Sequence, residues 1–175
     1  MGYNWSVWLL PKAKDHKFLT DYISLYSRLY GSDLFCPHVT LFGRMNINPK
    51  QYYSFFNKVK SDSEIKNVQT LKIKIGDPPW KRVYIQLSLN KNLKELQKKI
   101  AKKFRRYRKY EFDPHVSLAY GNFTPNKKDV HIIRKIGITH TKIKNTNLLF
   151  NLIFLKLNLS IKKYNMVKKG TRRTI

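Results

Sequence analysis

The sequence reads Pro37-His38-Val39-Thr40-Leu41 and, further along, Pro114-His115-Val116-Ser117-Leu118. In each stretch a proline precedes a histidine and a hydroxyl residue two positions apart, and an apolar residue follows each of these. Because successive side chains of a β-strand point to opposite faces, each stretch predicts a strand with an imidazole and a hydroxyl on one face and apolar side chains in the core. Two such strands side by side would bring two histidines and two hydroxyls to one cleft.

These four polar side chains suit acid–base chemistry at a phosphate, with no metal ion and no cofactor. An imidazole with its ordinary pKa near ~6.5 takes up or releases a proton close to neutrality. One of His38 and His115 can act as base on an attacking water or hydroxyl while the other protonates the leaving oxygen. Thr40 and Ser117 can donate hydrogen bonds to the phosphoryl oxygens, where charge builds up. The sequence does not distinguish the base from the acid.

A single stretch of this kind is more typical of an ordinary strand with a hydrogen-bonded histidine than of a catalytic site. The repetition reverses that interpretation, because the two copies differ only in Thr for Ser. Each copy is also followed by an aromatic residue and a glycine, Phe42-Gly43 and Tyr120-Gly121. We therefore predict a paired site with the two histidines as its catalytic groups.

The net charge of the chain is extreme. Its 36 Lys and Arg residues against 10 Asp and Glu give a formal charge of +26 at pH 7. Such a charge favours a polyanionic substrate or partner and attracts nucleic acid non-specifically. Lys, Asn, Ile and Tyr are abundant throughout, as an AT-rich genome would also produce. Both explanations of the charge remain open at this point.

The cellular setting is inferred from cysteine use and hydropathy. Cys36 is the only cysteine, so no intrachain disulfide can form and a reducing compartment is expected, namely the cytoplasm, or the host cytoplasm for a viral protein. A structural role is more typical for this residue than a catalytic one. No apolar run approaches the ~20 residues of a membrane helix, and we expect no signal peptide. We expect a monomer, without a membrane partner.

The remaining histidines, His16, His131 and His140, show no metal-ligand spacing, so we expect them at the surface or in packing roles. We therefore predict no metal site.

Hydrophobic periodicity predicts alternating strands and helices along one domain of residues 1–175. The predicted strands are 4–10, 38–43, 68–75, 83–89, 115–120, 137–143 and 148–161. One predicted helix runs from Asp15 to about residue 30, and a second begins at Pro49. A third runs from a cap at Asn90 or Asn92 to about residue 107, and a fourth spans 127–135. Residues 167–175 form a basic tail. This order predicts an α+β fold of two pseudo-twofold-related lobes, each with an antiparallel sheet and flanking helices, around a central cleft that holds the two motifs.

With these residues the chain resembles the 2H phosphoesterase superfamily, whose signature is a pair of His-x-Thr/Ser-x motifs. The similarity covers nearly the whole chain and is greatest to the plant and yeast cyclic phosphodiesterase branch. Besides the two motifs it includes three stretches: Trp5-Ser6-Val7-Trp8-Leu9-Leu10-Pro11, Arg82-Val83-Tyr84-Ile85 and Phe112-Asp113-Pro114-His115-Val116-Ser117-Leu118-Ala119-Tyr120-Gly121.

The resemblance implies a bilobal fold and metal-independent opening of a cyclic phosphate to a monoester. The substrate would be a nucleoside 2′,3′-cyclic phosphate, an RNA end that carries one, or ADP-ribose 1″,2″-cyclic phosphate. By position, His38 and His115 would be the catalytic pair, with Thr40 and Ser117 as phosphate binders.

Two further residues gain a substrate-binding role from the resemblance. Tyr120 matches an aromatic residue that helps to hold the substrate, although its spacing from Leu118 places it on the apolar face unless the chain bends near Gly121. Trp80 falls where the family can place a base-stacking aromatic, and a packing role is an equal alternative.

The basic stretch 98–109 runs directly into the second motif. It is either a solvated helix face or a surface that steers an RNA end towards the cleft. Two other functions remain open. Other branches of the superfamily cleave 2′,5′-linked oligoadenylates, and some viruses use such enzymes against host defence. An RNA-binding module with a vestigial site is disfavoured, because both His–hydroxyl pairs are intact.

Overall fold

The structure is a computed structural model that describes residues 4–62, 65–125 and 147–157. Its strands are β1 (Asn4–Pro11), β2 (Val39–Asn46), β3 (Ile65–Ile75), β4 (Val83–Leu87), β5 (His115–Ala119) and β6 (Asn147–Leu157). Its α-helices are α1 (Ala13–Tyr30), α2 (Tyr53–Asp62) and α3 (Lys91–Phe104), and a 3-10 helix spans Pro49–Tyr52. The predicted elements at 127–135 and 137–143 and the predicted tail at 167–175 lie outside the described residues.

The strands follow the order β2-β1-β6-β3-β4-β5, and every neighbouring pair is antiparallel. Strand β3 belongs to two sheets, because its first part, from Ile65 to Gln69, pairs with β6 and its last part, from Thr70 to Ile75, pairs with β4. The two motif strands, β2 and β5, lie at opposite ends of this order, and they nevertheless approach each other closely. The shared strand β3 therefore connects a sheet that ends at β2 with a sheet that ends at β5, and these two outer strands are in contact.

The helix boundaries follow local sequence signals. Gly31 ends α1 in the left-handed conformation, at φ 63°, with its N–H bonded to Ser27 O. Asn90 begins α3 by accepting a hydrogen bond from Leu93 N. The prediction that Asp15 caps α1 is wrong. The cap lies three residues earlier, at Lys12, so that Asp15 lies in the first turn of the helix, where a carboxylate also interacts favourably with the helix dipole.

The core faces of the motif strands are covered by helices. The apolar side of α3, predicted as Leu93, Leu96, Ile100 and Phe104, is buried as expected. Helix α3 packs on β2, whereas α1 packs on β5. Helix α1 precedes β2 in the sequence but covers β5, and α3 precedes β5 but covers β2. The predicted α+β class with antiparallel sheets and flanking helices is confirmed.

Candidate active site

Both motif strands have the same register with their neighbours. In the first, Leu9 pairs with Val39 and Trp8 with Thr40, and then Val7 pairs with Phe42. In the second, Ile85 pairs with Val116 and Tyr84 with Ser117, and then Val83 pairs with Ala119. Each motif strand therefore carries a β-bulge at the residue after its hydroxyl, namely Leu41 and Leu118. The predicted alternation holds up to that point, since Val39 and Val116 are buried in the core.

The bulge at Leu118 explains how Tyr120 reaches the motif face. A bulge places two successive residues on one face, and Leu118 and Ala119 are both fully buried. The following residue is thereby returned to the opposite face, where burial raises the pKa of the Tyr120 hydroxyl and the Ser117 side chain acts to lower it. The bend expected near Gly121 is not what turns Tyr120, because the change of face occurs within β5.

The two histidines are held by the same hydrogen bond. Nδ1 of His38 lies 2.8 Å from Cys36 O, and Nδ1 of His115 lies 2.7 Å from Asp113 O. A carbonyl oxygen only accepts, so Nδ1 carries the proton and donates in both rings. In the neutral form, Nε2 is then the unprotonated nitrogen, available to take a proton from a bound group.

One aromatic ring accompanies each imidazole and comes from the residue opposite the motif hydroxyl. Trp8, opposite Thr40, stacks on His38, with ring centroids 3.6 Å apart and planes inclined by 12°. Tyr84, opposite Ser117, meets His115 edge-on, with centroids 5.3 Å apart. Because directly paired residues share a face of the sheet, these contacts place each imidazole on the face of its own hydroxyl.

Both imidazoles are biased towards the neutral form. Burial lowers the pKa of His38 to about 4. The hydrogen bond to Cys36 O acts to raise this pKa, and the charge of His115 acts to lower it. Burial also lowers the pKa of His115. The charge of His115 acts on the His38 ring, and the two motif strands are in contact, so the two imidazoles lie within electrostatic reach of each other. That they form one catalytic site stays a prediction.

Among the residues that the structure describes, an ion pair lies beside the second histidine and none lies beside the first. Lys81, on the turn before β4, forms an ion pair with Asp113 and lies 4.3 Å from the centroid of the Tyr84 ring. Burial opposes ionisation of Asp113, but hydrogen bonds from Lys81 and Gln86 outweigh this and lower its pKa. Cys36 occupies the position before the proline where the second motif has Asp113.

Aromatic and cationic side chains lie beyond Ser117, around Tyr120. Tyr120 packs against Phe35, with centroids 4.3 Å apart, and meets the edge of Trp80 at 6.5 Å. Trp80 is 47% exposed, and the guanidinium carbon of Arg44 lies 4.5 Å from its ring centroid. The structure thus brings Trp80 and Tyr120 together with the motifs, and adds Arg44 from the end of the first motif strand.

The basic stretch 98–109 does not line this face. Helix α3 packs with its apolar side on the core face of β2, so its charged side points away from both sheets. Among the charged side chains of the stretch, Arg108 reaches the first motif strand and donates to Gly43 O at 3.1 Å, and the nearby Tyr110 donates to Thr40 O at 3.1 Å.

Cys36 is half-buried beside the first motif, with Sγ 3.8 Å from Nε2 of His16, and burial raises the pKa of its thiol. A thiol of raised pKa is a poor nucleophile at neutral pH, which suits the structural role expected of it. Within the described part of the chain, no group of three or more His, Cys, Asp and Glu side chains could hold a metal ion. In the same part, no helix is long and apolar enough to cross a membrane.

Five residues near the histidines have no role that the sequence pattern predicts, although three of them stand in stretches that resemble the superfamily: Trp8, Tyr84, Asp113, Lys81 and Gln86. Trp8 and Tyr84 are aromatic residues on strands that neighbour the motifs, which is a signal only once the register is known. Asp113 stands two residues before its histidine, where its carbonyl fixes the ring. A comparison of the two motifs is the signal that could have found it, because the residue before the proline is a charged Asp113 in the second motif and an uncharged Cys36 in the first.

The chain is similar in sequence to a known protein family. A family model described as cyclic phosphodiesterase-like protein matches residues 1–148. Among solved structures, the chain is similar to Usb1 of Kluyveromyces marxianus, with 10% identity and a TM-score of 0.46 over 88% of this chain and 98% of that chain. No curated protein matches the chain. Since the family match includes both motif strands and most of the sequence, the chain belongs to the cyclic phosphodiesterase-like protein family, within the 2H phosphoesterase superfamily.

Proposed function

We propose that this protein hydrolyses a cyclic phosphate diester to a monoester, with His38 and His115 as its acid–base pair. The observation that carries the proposal is that both imidazoles donate Nδ1–H to a backbone carbonyl two residues earlier. Each therefore has Nε2 available for proton transfer. The match to the cyclic phosphodiesterase-like family supports the same reaction class.

The proposed step uses one histidine in each protonation state. The neutral imidazole takes a proton from water as the water oxygen forms its bond to phosphorus. The bond between phosphorus and one ring oxygen breaks, and the protonated imidazole donates its proton to that oxygen. Binding of the anionic phosphate favours protonation of the adjacent ring and so offsets the depressed pKa values of the free protein.

Four side chains would hold the substrate. Thr40 and Ser117 lie on the faces of their histidines and would donate hydrogen bonds to the non-bridging phosphoryl oxygens. The exposed ring of Trp80 offers a stacking surface for a base. Tyr120, close enough to Ser117 for the two side chains to interact and in contact with Trp80, would connect the phosphate and base positions.

The substrates that fit this proposal are a nucleoside 2′,3′-cyclic phosphate, an RNA end that carries one, and ADP-ribose 1″,2″-cyclic phosphate. All present a strained five-membered cyclic diester on a ribose. The single cysteine, Cys36, favours a reducing compartment such as the cytoplasm as the place of the reaction.

A substrate panel tests the proposal. Purified protein in EDTA is offered 2′,3′-cyclic AMP, an oligonucleotide with a 2′,3′-cyclic end, ADP-ribose 1″,2″-cyclic phosphate and 2′,5′-triadenylate, and the products are identified by phosphorus NMR. The double variant His38→Ala/His115→Ala is the matched control for contaminating activity. We expect monoester formation from at least one cyclic substrate. Cleavage of triadenylate alone would replace the proposal with the oligoadenylate alternative, and turnover of nothing would refute both.

A further inference from the structure

Behind His115, three side chains form a connected polar group, which we call the Lys81–Asp113–Gln86 unit. Lys81 Nζ pairs with Asp113 Oδ2, and Gln86 Nε2 donates to Asp113 Oδ1 at 2.7 Å. The same Nε2 donates to Pro114 O at 2.9 Å. Gln86 is 9% exposed and lies directly opposite His115 in the β4–β5 ladder. Both residues before His115 are therefore tied to β4 and to the turn that precedes it.

We propose that the Lys81–Asp113–Gln86 unit positions His115 for proton transfer. By fixing the backbone at Asp113 and Pro114, it fixes the carbonyl that receives Nδ1–H, and so it holds Nε2 towards the first motif. The inference rests on the proposed function in taking His115 as a catalytic group. The three members of the unit are positioning residues, because they act on the ring through the backbone and through their charges.

The first histidine has the same carbonyl bond, and within the described residues no such unit stands behind it. Cys36 stands in the place of Asp113, and its half-buried thiol lies near His16 and 3.8 Å from Pro37 O. A neutral thiol supplies no charge to the ring of His38, which is instead covered by Trp8. The unit thus makes the two otherwise matching halves of the site chemically different.

The charged and titratable groups around His115 come from several elements. Asp113 belongs to its own segment, Lys81 to the turn before β4, Tyr84 to β4 and His38 to the segment entering β2. Lys74 of β3 lies one contact further away and donates to Gln86 Oε1 at 2.9 Å. The unit therefore includes two opposite charges that act directly on the ring.

These two charges act on His115 in opposite directions. Burial lowers the pKa of His115, the bond to Asp113 O raises it, the Lys81 ammonium lowers it and the Asp113 carboxylate raises it. Removing the carboxylate should lower the pKa of His115, whereas removing the ammonium should raise it. If the ion pair served only to stabilise the fold, removing its two members would not be expected to shift the pKa of His115 in opposite directions.

The experiment is an NMR titration of the imidazole carbons in the full chain, with no substrate present. We expect Asp113→Asn to move the titration of His115 to lower pH and Lys81→Met to move it to higher pH. Both variants keep the side-chain length, and the native side chains are 49% and 28% exposed, so neither empties the core. Asp21→Asn removes a carboxylate from the exposed Lys17–Asp21 pair on α1 and is the matched control.

A kinetic measurement tests the positioning role separately. Gln86→Met removes both hydrogen bonds from Nε2 at similar volume. We expect kcat for 2′,3′-cyclic AMP to fall about tenfold while KM stays unchanged, because a displaced proton carrier slows the chemical step without weakening binding.

Shifts of one sign in both charge variants, or no shift in either, would overturn the proposal. A Gln86→Met variant with native kcat, or with a change in KM alone, would do so as well. The titration does not depend on turnover. Opposite shifts in a protein that cleaves no cyclic phosphate would support the unit while refuting the proposed function.

Discussion

Trp8 lies flat on His38, with the two ring centroids 3.6 Å apart and the planes inclined by 12°. The indole covers one face of the imidazole and contributes to the burial that lowers its pKa to about 4. We expect Trp8→Leu to raise the pKa of His38, because water then reaches that face and solvates the imidazolium. An imidazole NMR titration measures the change. Trp80→Leu, which leaves the stacked pair intact, should not alter the pKa of His38, and an unchanged value in Trp8→Leu would contradict the assigned role of the indole.

The depressed pKa of His38 should make the fold less stable in acid. Between about pH 6.5 and about pH 4 the unfolded chain binds a proton at this histidine while the folded protein does not. The free energy of unfolding should therefore decrease as the pH falls through this window, by on the order of 2–3 kcal/mol for this one group. Urea unfolding at several pH values measures it. His38→Gln should flatten this part of the profile, and an equally steep profile in that variant would assign the loss to other groups.

Single substitution of either histidine should abolish most of the activity. We expect His38→Ala and His115→Ala each to lower kcat about 10²- to 10⁴-fold, which is the usual contribution of a positioned acid or base. In the wild type, a plot of kcat/KM against pH should be bell-shaped. Both apparent pKa values of this plot should lie below the ordinary pKa of an imidazole, because burial lowers the pKa of each histidine. Near-native rates in either variant would refute the paired assignment.

The difference between the two halves also predicts which histidine is the proton donor. The bond to Asp113 O and the Asp113 carboxylate favour the protonated form of His115 against burial and the Lys81 ammonium, whereas burial holds His38 neutral down to a pKa of about 4. We therefore expect His115 to protonate the leaving oxygen. A cyclic substrate with sulfur at the leaving position needs no such proton, so it should restore turnover in His115→Ala and not in His38→Ala. Rescue of the other variant would reverse the assignment.

The turn that carries Trp80 and Lys81 depends on a glycine. A Cβ on Gly76 would lie 2.6 Å from the backbone oxygen of Lys81 and 3.0 Å from the Tyr84 ring, so Gly76→Ala must displace the turn. We expect a loss in kcat/KM of about tenfold or more. Gly31→Ala is the control, since nothing lies within 4 Å of its added Cβ and its φ of 63° imposes only local strain. It should lower stability by about 1 kcal/mol and leave kcat/KM unchanged.

Much of the fold followed from short-range patterns. The alternation around His38 and His115, the stop at Gly31 and the apolar side of α3 are all properties of a few adjacent residues, and the structure has them as predicted. The start of α1 was misplaced, because a helix can begin without a side-chain cap when its apolar face packs well. The pairing of the motifs at one site was predicted from the repetition alone.

The remaining features depend on contacts between distant segments. The bulge at Leu118 is set by pairing with β4, so the face of Tyr120 could not be read from β5 by itself. The stacking of Trp8 on His38 likewise requires the β1–β2 register. Asp113 acquires its role only through Lys81 and Gln86, which belong to another strand and the turn before it.

The crossed packing of α1 on β5 and of α3 on β2 has a consequence for how the protein forms. In the described part of the chain, a helix from the other part of the sequence covers the apolar face of each motif strand. Such long-range closure carries an entropic cost before its contacts are gained, and it slows folding. A nascent or truncated chain would hold each histidine on an uncovered strand. The two imidazoles therefore acquire their final surroundings in the same step that completes the core. The site is then formed only in chains whose fold is complete.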